Sequence, residues 1–402
     1  MSQGKLIGSM LIIAGTTIGA GMLALPIASA GLGFSTAMLL LFMAWLLMTY
    51  TALLMIELHQ YAHVEALFNS LAKSLLGKKG QIIANSSMIF LFYALCAAYI
   101  AGGGSQLQLK LVQWTSVELP HQTGSIMFAI IFGAIITLGT AAVDKVNRIL
   151  FLIKIIALAS VFYMLTPYVQ GKHLLEMPIE QGLILSAIPV MFTAFGFHGS
   201  IPSIVKYVGL DMKSLRKIMI IGSALPLGIY LFWQLVSQGV MSQSSLMKNE
   251  DFPSFVSGIS TMLQSPNISN AVTIFADLAL ATSFLGVSLG LFDFFSDTLS
   301  KGNTKKDRLI TGLVTFVPPL AFALFYPKGF IMALGYAAIA LVILAIFLPV
   351  AMVWVQRKQS EQHDDNYRVK GSSVGLAVAT LSGVLIISAQ CLQMLGLIPP
   401  LG

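Results

Sequence analysis

Long apolar segments recur along the whole of this chain. A helix of about 20 apolar residues crosses the ~30 Å hydrocarbon core of a bilayer. Eleven segments reach that length, and each predicts a membrane-spanning helix. They are about 5–31, 34–57, 81–109, 123–143, 149–168, 181–206, 216–239, 271–299, 308–326, 329–355 and 373–397. The expected fold class is therefore an all-α integral membrane protein with about 11 transmembrane helices embedded in a lipid bilayer.

The scarcity of charged residues excludes an ordinary soluble enzyme. Only 10% of the 402 residues are Asp, Glu, Lys or Arg, against about 25% in soluble proteins. The net charge of +7 does not indicate a nucleic-acid partner, because the basic residues lie in short connectors rather than on one continuous face. The two cysteines, Cys96 and Cys391, lie inside apolar segments and form no metal-binding pattern. We expect no metal and no cofactor.

The distribution of Lys and Arg predicts the orientation in the membrane. If the N-terminus is cytoplasmic and the chain crosses eleven times, 19 of the 23 basic residues fall on the cytoplasmic side. Positive charge favours the cytoplasmic side of a membrane. The sequence therefore predicts a multi-pass protein with a cytoplasmic N-terminus and a periplasmic C-terminus.

Two of the apolar segments are interrupted by glycine-rich stretches that break a helix. The first interruption is Gly15–Gly21, followed by Pro26, and the second is Phe195–Ser200, followed by Pro202. Lipid offers no partner to free backbone groups, so such breaks are tolerated where they line a cavity or meet a ligand. Paired breaks in the two halves of a membrane protein indicate the binding site of a transporter. Close helix packing through Gly15 and Gly19 is the alternative explanation for the first break.

The breaks fall in the first and the sixth predicted helix. Helices 1–5 and 6–10 then form two sets of opposite topology, as in a five-plus-five inverted repeat. We expect one transmembrane domain over residues 1–402. Its first repeat is about 5–168, its second is about 181–355, and an additional helix covers about 373–397.

The first break can bind both charged ends of an amino acid. A helix that begins after a break presents free N–H groups and a positive dipole end to an anion such as a carboxylate. The helix that ends at the break presents carbonyl groups to an ammonium. The candidate substrate-binding residues here are Gly15, Thr16, Thr17, Gly19, Ala20 and Gly21.

The second break adds aromatic side chains. Phe195 and Phe197 could clasp a flat apolar side chain. His198 lies near the middle of its span, where ionisable residues are costly and usually functional, although it could equally tie the broken backbone together. The candidate substrate-binding residues here are Phe195, Gly196, Phe197, His198, Gly199 and Ser200, with Tyr99 on the third helix.

Lys154 is the deepest cation in any predicted span. Burial disfavours a charged ammonium, so this lysine could exchange protons during a transport cycle. Snorkelling of the side chain toward the cytoplasm is the alternative. Thr282 and Ser283, in the middle of the eighth helix, could contact Lys154 or a cation. We take Lys154, Thr282 and Ser283 as candidate ion-coupling residues.

Four segments together resemble the bacterial aromatic amino acid permease family. They are Ala14–Pro26 (AGTTIGAGMLALP), Phe195–Val205 (FGFHGSIPSIV), Ala281–Val287 (ATSFLGV) and Phe325–Phe330 (FYPKGF). The resemblance covers nearly the whole chain. It implies the amino acid–polyamine–organocation superfamily, the inverted-repeat fold of the leucine-transporter type with discontinuous helices 1 and 6, the bacterial inner membrane, and proton-coupled uptake.

Within that family the resemblance implies L-tyrosine as the substrate and the proton as the coupling ion. Tryptophan or a broad range of aromatic amino acids is the alternative, since no single residue decides between them. Two other classes of protein are disfavoured. A membrane-embedded enzyme would need a catalytic motif such as HExxH or GxSxG, and a channel would need a ring of pore-lining groups.

Overall fold

The structure, a computed structural model, describes residues 3–120, 122–176, 182–249, 251–298, 304–359 and 367–401. Within these ranges the chain forms helices and turns. The α-helices are α1 (Gln3–Thr17), α2 (Ala20–Ala28), α3 (Phe34–His59), α4 (Phe68–Thr115), α5 (Thr123–Leu138), α6 (Thr140–Leu165), α7 (Gly171–Leu174), α8 (Gly182–Thr193), α9 (Ile201–Val208), α10 (Met212–Val240), α11 (Gln243–Leu246), α12 (Phe252–Leu263), α13 (Pro266–Thr298), α14 (Lys305–Phe325), α15 (Phe330–Val342), α16 (Leu348–Gln359) and α17 (Ser372–Met394).

The described residues contain nine helical spans long and apolar enough to cross a membrane. The bent pair α1 and α2 brings the number to ten. The fourth predicted span corresponds to α5, which has only 16 residues and is about 24 Å long at ~1.5 Å per residue. This is shorter than the ~30 Å hydrocarbon core. The multi-pass, all-helical character holds for the described residues, and the count of eleven stays a prediction.

Two helix boundaries differ from those expected. The predicted connector between the fourth and fifth spans, residues 144–148, is helical, and the chain instead turns at Gly139, whose φ is 120°. An ion pair between Asp144 and Arg148, 2.9 Å apart and four residues apart in sequence, stabilises the helical form of that stretch. The third predicted span extends backward to Phe68, with a sharp break at Gly77, where φ is 69° and ψ is −165°.

The two broken spans lie at the centre of the helix packing. Helix α2 packs against α8 and α10, and α1 packs against α10. The long helix α13 lies against α6 and α4 and also reaches α2. Residues of the first break are therefore surrounded by several spans, and Ile18, Gly19 and Ala20 are buried. This packing places α8, α10 and α13 against the helices of the first break.

Candidate functional site

The first span is broken where the sequence predicts. Helix α1 ends at Thr17, α2 begins at Ala20, and the two axes are bent by 53°. The Ile18 N–H still bonds the carbonyl of Ala14 at 2.8 Å, and the Met22 N–H bonds that of Gly19 at 3.1 Å. The carbonyl groups of Thr17 and Ile18, by contrast, accept hydrogen bonds from side chains of other helices. The break therefore exposes backbone groups to partners outside its own helix.

The second span is interrupted after Thr193. Helix α8 ends there, a turn follows, and a short 3₁₀ segment, His198–Ser200, leads into α9. The turn is closed by bonds from the Phe195 N–H to Phe192 O and from the Gly196 N–H to Thr193 O, each 3.1 Å. Pro202 lies in the first turn of α9, where the missing N–H costs nothing. Both predicted interruptions are present.

The two breaks line one small cavity of about 80 Å³. Seven of the predicted substrate-binding residues lie in its wall: Thr16, Thr17, Gly19, Ala20, Gly21, Tyr99 and Gly196. Its other lining residues are Ser283, Thr193, Ala194, Leu91, Leu95, Val287, Leu334 and Leu341. The two breaks are close enough that a Cβ on Gly21 would lie 3.2 Å from the Cα of Ala194. Residues from both halves of the chain therefore converge on one space.

The remaining predicted substrate-binding residues lie outside the lining of this cavity. They are Gly15, Phe195, Phe197, His198, Gly199 and Ser200. The buried Phe195 ring packs edge-on against Tyr230, with centroids 5.1 Å apart. His198 Nε2 lies 2.9 Å from the Thr51 hydroxyl on α3, so the histidine connects the second break to α3. A direct contact of these six residues with the substrate stays a prediction.

Lys154 reaches the first break from α6. Its ammonium donates to the carbonyl of Ile18 at 2.8 Å and to the hydroxyl of Thr282 at 3.2 Å. The Phe151 ring centroid lies 4.7 Å from the same nitrogen. The lysine is 1% exposed, and no described carboxylate pairs with it. The side chain is therefore buried in the protein interior and does not snorkel to the surface.

Ser283 accepts a hydrogen bond from one of the backbone N–H groups that were expected to bind a carboxylate. The Ala20 N–H donates to its hydroxyl oxygen at 3.0 Å. A Cβ on Gly19 would lie where this hydroxyl is, so a side chain there would displace the hydroxyl from the Ala20 N–H. Of the three residues that the sequence groups together, Lys154 and Ser283 bond the first break directly, and Thr282 bonds Lys154.

Sequence reasoning missed Tyr230, on α10. Its hydroxyl lies 2.5 Å from the carbonyl oxygen of Thr17 and 2.8 Å from that of Ala194, and the residue is fully buried. A phenol has one proton to donate, so this hydroxyl bonds one of the two carbonyls at a time or shares its proton between them. In either case it links the two breaks. Trp233, one turn further along, donates to the carbonyl of Met22 at 3.1 Å. The only sequence signal for this pair is a tyrosine and a tryptophan three residues apart in an apolar segment. They belong to no recognised motif.

Comparison with known proteins gives a consistent result. The chain matches the model of the tryptophan/tyrosine permease family over residues 2–390. It is 43% identical to tyrosine-specific transport system 1 of Haemophilus influenzae over 400 residues, with 98% of each chain covered. It is 39% identical to tyrosine-specific transport system 2 of the same organism, with 99% of each chain covered. A tryptophan-specific transport protein of that organism is 35% identical, over 96% of this chain and 95% of the relative.

These matches extend over nearly the whole chain, which is enough to assign it to a family. The model and the relatives cover nearly the full length, including both breaks and the lysine between them. Permeases carry solutes across membranes, which agrees with the multi-pass helical fold and with the expectation that the chain is not an enzyme. The chain belongs to the tryptophan/tyrosine permease family.

Proposed function

We propose that this protein imports L-tyrosine across the bacterial inner membrane as a secondary transporter. The observation that carries the proposal is the cavity shared by the two breaks, with seven predicted binding residues in its wall. The orientation follows from the charge distribution, with the N-terminus cytoplasmic and the C-terminus periplasmic. The architecture is the five-plus-five inverted repeat of residues 5–168 and 181–355, with the helix at 373–397 added.

The substrate is bound through its charged ends at the first break. The N–H groups of Gly19 and Gly21 take the carboxylate, while the Ala20 N–H donates to the Ser283 hydroxyl. Carbonyl groups at the end of α1 take the ammonium. Tyr99 lines the same cavity and is buried. Its side chain can therefore contact a substrate held at the first break.

The cavity must enlarge to hold the substrate. Pockets for drug-sized ligands enclose about 300–1,000 Å³, against about 80 Å³ here. Separation of the two breaks would provide that space and open the site to one side of the membrane at a time. The substrate therefore binds in a different conformation from the one described, as alternating access requires.

Uptake is coupled to the proton gradient through Lys154. A buried ammonium without a counter-charge is costly, and this one is held only by a carbonyl, a hydroxyl and an aromatic ring. Loss of the proton weakens its hold on the Ile18 carbonyl. The protonation state of Lys154 therefore sets how firmly α6 and α13 hold the first break, with Thr282 and Ser283 completing the contact.

Uptake of radiolabelled tyrosine into proteoliposomes tests the substrate assignment. Tyrosine in excess should abolish the signal, and tryptophan and phenylalanine should compete less well. The tryptophan-specific relative makes tryptophan the second candidate. Stronger uptake of tryptophan than of tyrosine would replace the first assignment with the second.

A further inference from the structure

A groove on the lipid-facing surface separates the last two helical spans. Its volume is about 510 Å³. The lining residues are Phe347, Val350, Ala351 and Trp354 on one side, and Ser373, Leu376, Ala377 and Thr380 of α17 on the other. The walls are apolar except for two hydroxyls and the edge of an indole. In a bilayer, such a groove accommodates a hydrocarbon chain.

One end of the groove is aromatic and basic. Trp354 lies at this end and is 53% exposed. The Lys358 ammonium lies 3.6 Å from the centre of its ring. On the opposite side, the exposed Lys370 precedes Gly371, the residue immediately before α17. Helix α16 ends at Gln359 and α17 begins at Ser372, so this end of the groove lies where both spans leave the membrane.

The neighbouring Arg357 does not add free positive charge to this end. Its guanidinium forms two bonds to the Glu57 carboxylate, at 2.7 and 2.8 Å, and also approaches the carbonyl of Ser372 at 3.5 Å. This ion pair fixes the start of α17 against α16 and α3. Lys358 and Lys370 are exposed cations on the two sides of the groove.

We propose that this groove binds one anionic phospholipid, with an acyl chain between α16 and α17 and its phosphate between Lys358 and Lys370. Tryptophan and lysine are the residues that anchor a protein at the level of lipid headgroups. Basic pockets between spanning helices bind anionic headgroups. A basic surface alone would bind only the headgroup. Here an apolar groove between α16 and α17 lies next to Lys358 and Lys370 and can also hold an acyl chain. It therefore distinguishes a phospholipid from a free phosphate.

Trp354 provides a built-in reporter for the experiment. The full-length protein is reconstituted in phosphatidylcholine vesicles that contain increasing fractions of brominated phosphatidylglycerol or, separately, brominated phosphatidylcholine. Bromine quenches tryptophan fluorescence on contact. The chain has four tryptophans, so the Trp354 signal is the difference between the wild type and Trp354→Phe. We expect half-maximal quenching at a fraction of the anionic lipid at least fivefold lower than that of the zwitterionic lipid.

Three variants separate the groove from the general lipid surroundings. Lys358→Gln should reduce the preference for the anionic lipid about fivefold, while the matched exposed lysine variant Lys73→Gln leaves it unchanged. Ala377→Leu fills the groove without changing charge and should weaken quenching by the anionic lipid. Inorganic phosphate should not displace the lipid.

Two results would overturn the proposal. Equal quenching by both lipids in the wild type would mean that the groove holds ordinary, exchanging lipid. The second result is a preference for the anionic lipid that survives Ala377→Leu but is lost when phosphate is added. It would mean that the headgroup binds the surface lysines and that the groove holds no acyl chain.

Discussion

The side-chain ammonium of Lys154 lies 2.8 Å from the carbonyl oxygen of Ile18, inside the break of the first span. The two residues are 136 positions apart in sequence. This bond joins α6 to the point at which α1 and α2 diverge. Because a broken helix in a membrane needs partners for its free carbonyls, the lysine contributes to the stability of the break as well as to the proposed coupling.

Gly19 should tolerate no side chain. A Cβ there would clash with the Ser283 hydroxyl, which itself bonds the Ala20 N–H. We expect Gly19→Ala to lower tyrosine uptake tenfold or more, because overpacking costs about 1–3 kcal/mol. Gly8→Ala, on the preceding helix α1, is the control, since a Cβ at Gly8 meets nothing within 4 Å. Normal uptake by Gly19→Ala at wild-type protein levels would refute the proposed close approach.

Tyr230 should be required for transport through its hydroxyl alone. Tyr230→Phe keeps the ring against Phe195 but leaves the carbonyls of Thr17 and Ala194 without this donor. An unsatisfied buried carbonyl costs about 1–3 kcal/mol, so we expect uptake to fall at least fivefold. Tyr163→Phe is the control, because Tyr163 is 83% exposed. Equal activity of the two variants would show that the contact of the Tyr230 hydroxyl with the two breaks is not needed for transport.

His198 offers a choice between a binding role and a positioning role. The bond to Thr51 indicates that it holds the second break against α3. His198→Ala and Thr51→Val should therefore lower tyrosine uptake and phenylalanine competition to the same extent. A site that bonds a phenol discriminates strongly against the analogue that lacks it. A selective loss of tyrosine in His198→Ala, with Thr51→Val unaffected, would assign the ring to the substrate.

The two helix breaks and the cavity that they share could be predicted from the sequence, because a helix break in lipid has few explanations. Glycine and proline mark the break locally, and the cost of free backbone groups in hydrocarbon makes it informative. The association of Lys154 with the break was predictable for a similar reason, since a deep lysine needs polar partners.

Other features depend on three-dimensional contacts that leave no local pattern. Tyr230 bonds backbone carbonyls. Because every residue has a carbonyl, the identities of Thr17 and Ala194 give no sign that they are the partners of Tyr230. Phe195 and Phe197 are aromatic and adjacent to the break, yet the twist of the turn directs them away from the cavity wall. Which way a side chain leaves an irregular turn is set by its dihedral angles, and residue identity alone does not fix them.

The Glu57–Arg357 pair should stabilise the fold far more than an exposed pair. Their side chains are 4% and 10% exposed, respectively, and joined by two hydrogen bonds. Arg357→Ala leaves a buried carboxylate unpaired and should lower stability by about 3–5 kcal/mol. Arg148→Ala, in a pair whose side chains are 78% and 55% exposed, should cost at most about 1 kcal/mol. Thermal unfolding of the purified variants in detergent compares them, and similar losses for both would contradict the assignment.

The most direct test measures tyrosine accumulation in proteoliposomes under an imposed pH gradient, without Na⁺, for the wild type and Lys154→Ala. If Lys154 couples uptake to the proton gradient, the wild type should concentrate tyrosine. Lys154→Ala should fail to do so while still exchanging internal for external tyrosine. The retained exchange would show that the variant is folded and binds substrate. Accumulation by Lys154→Ala against a gradient, or a wild type that needs Na⁺ at constant pH, would contradict the account.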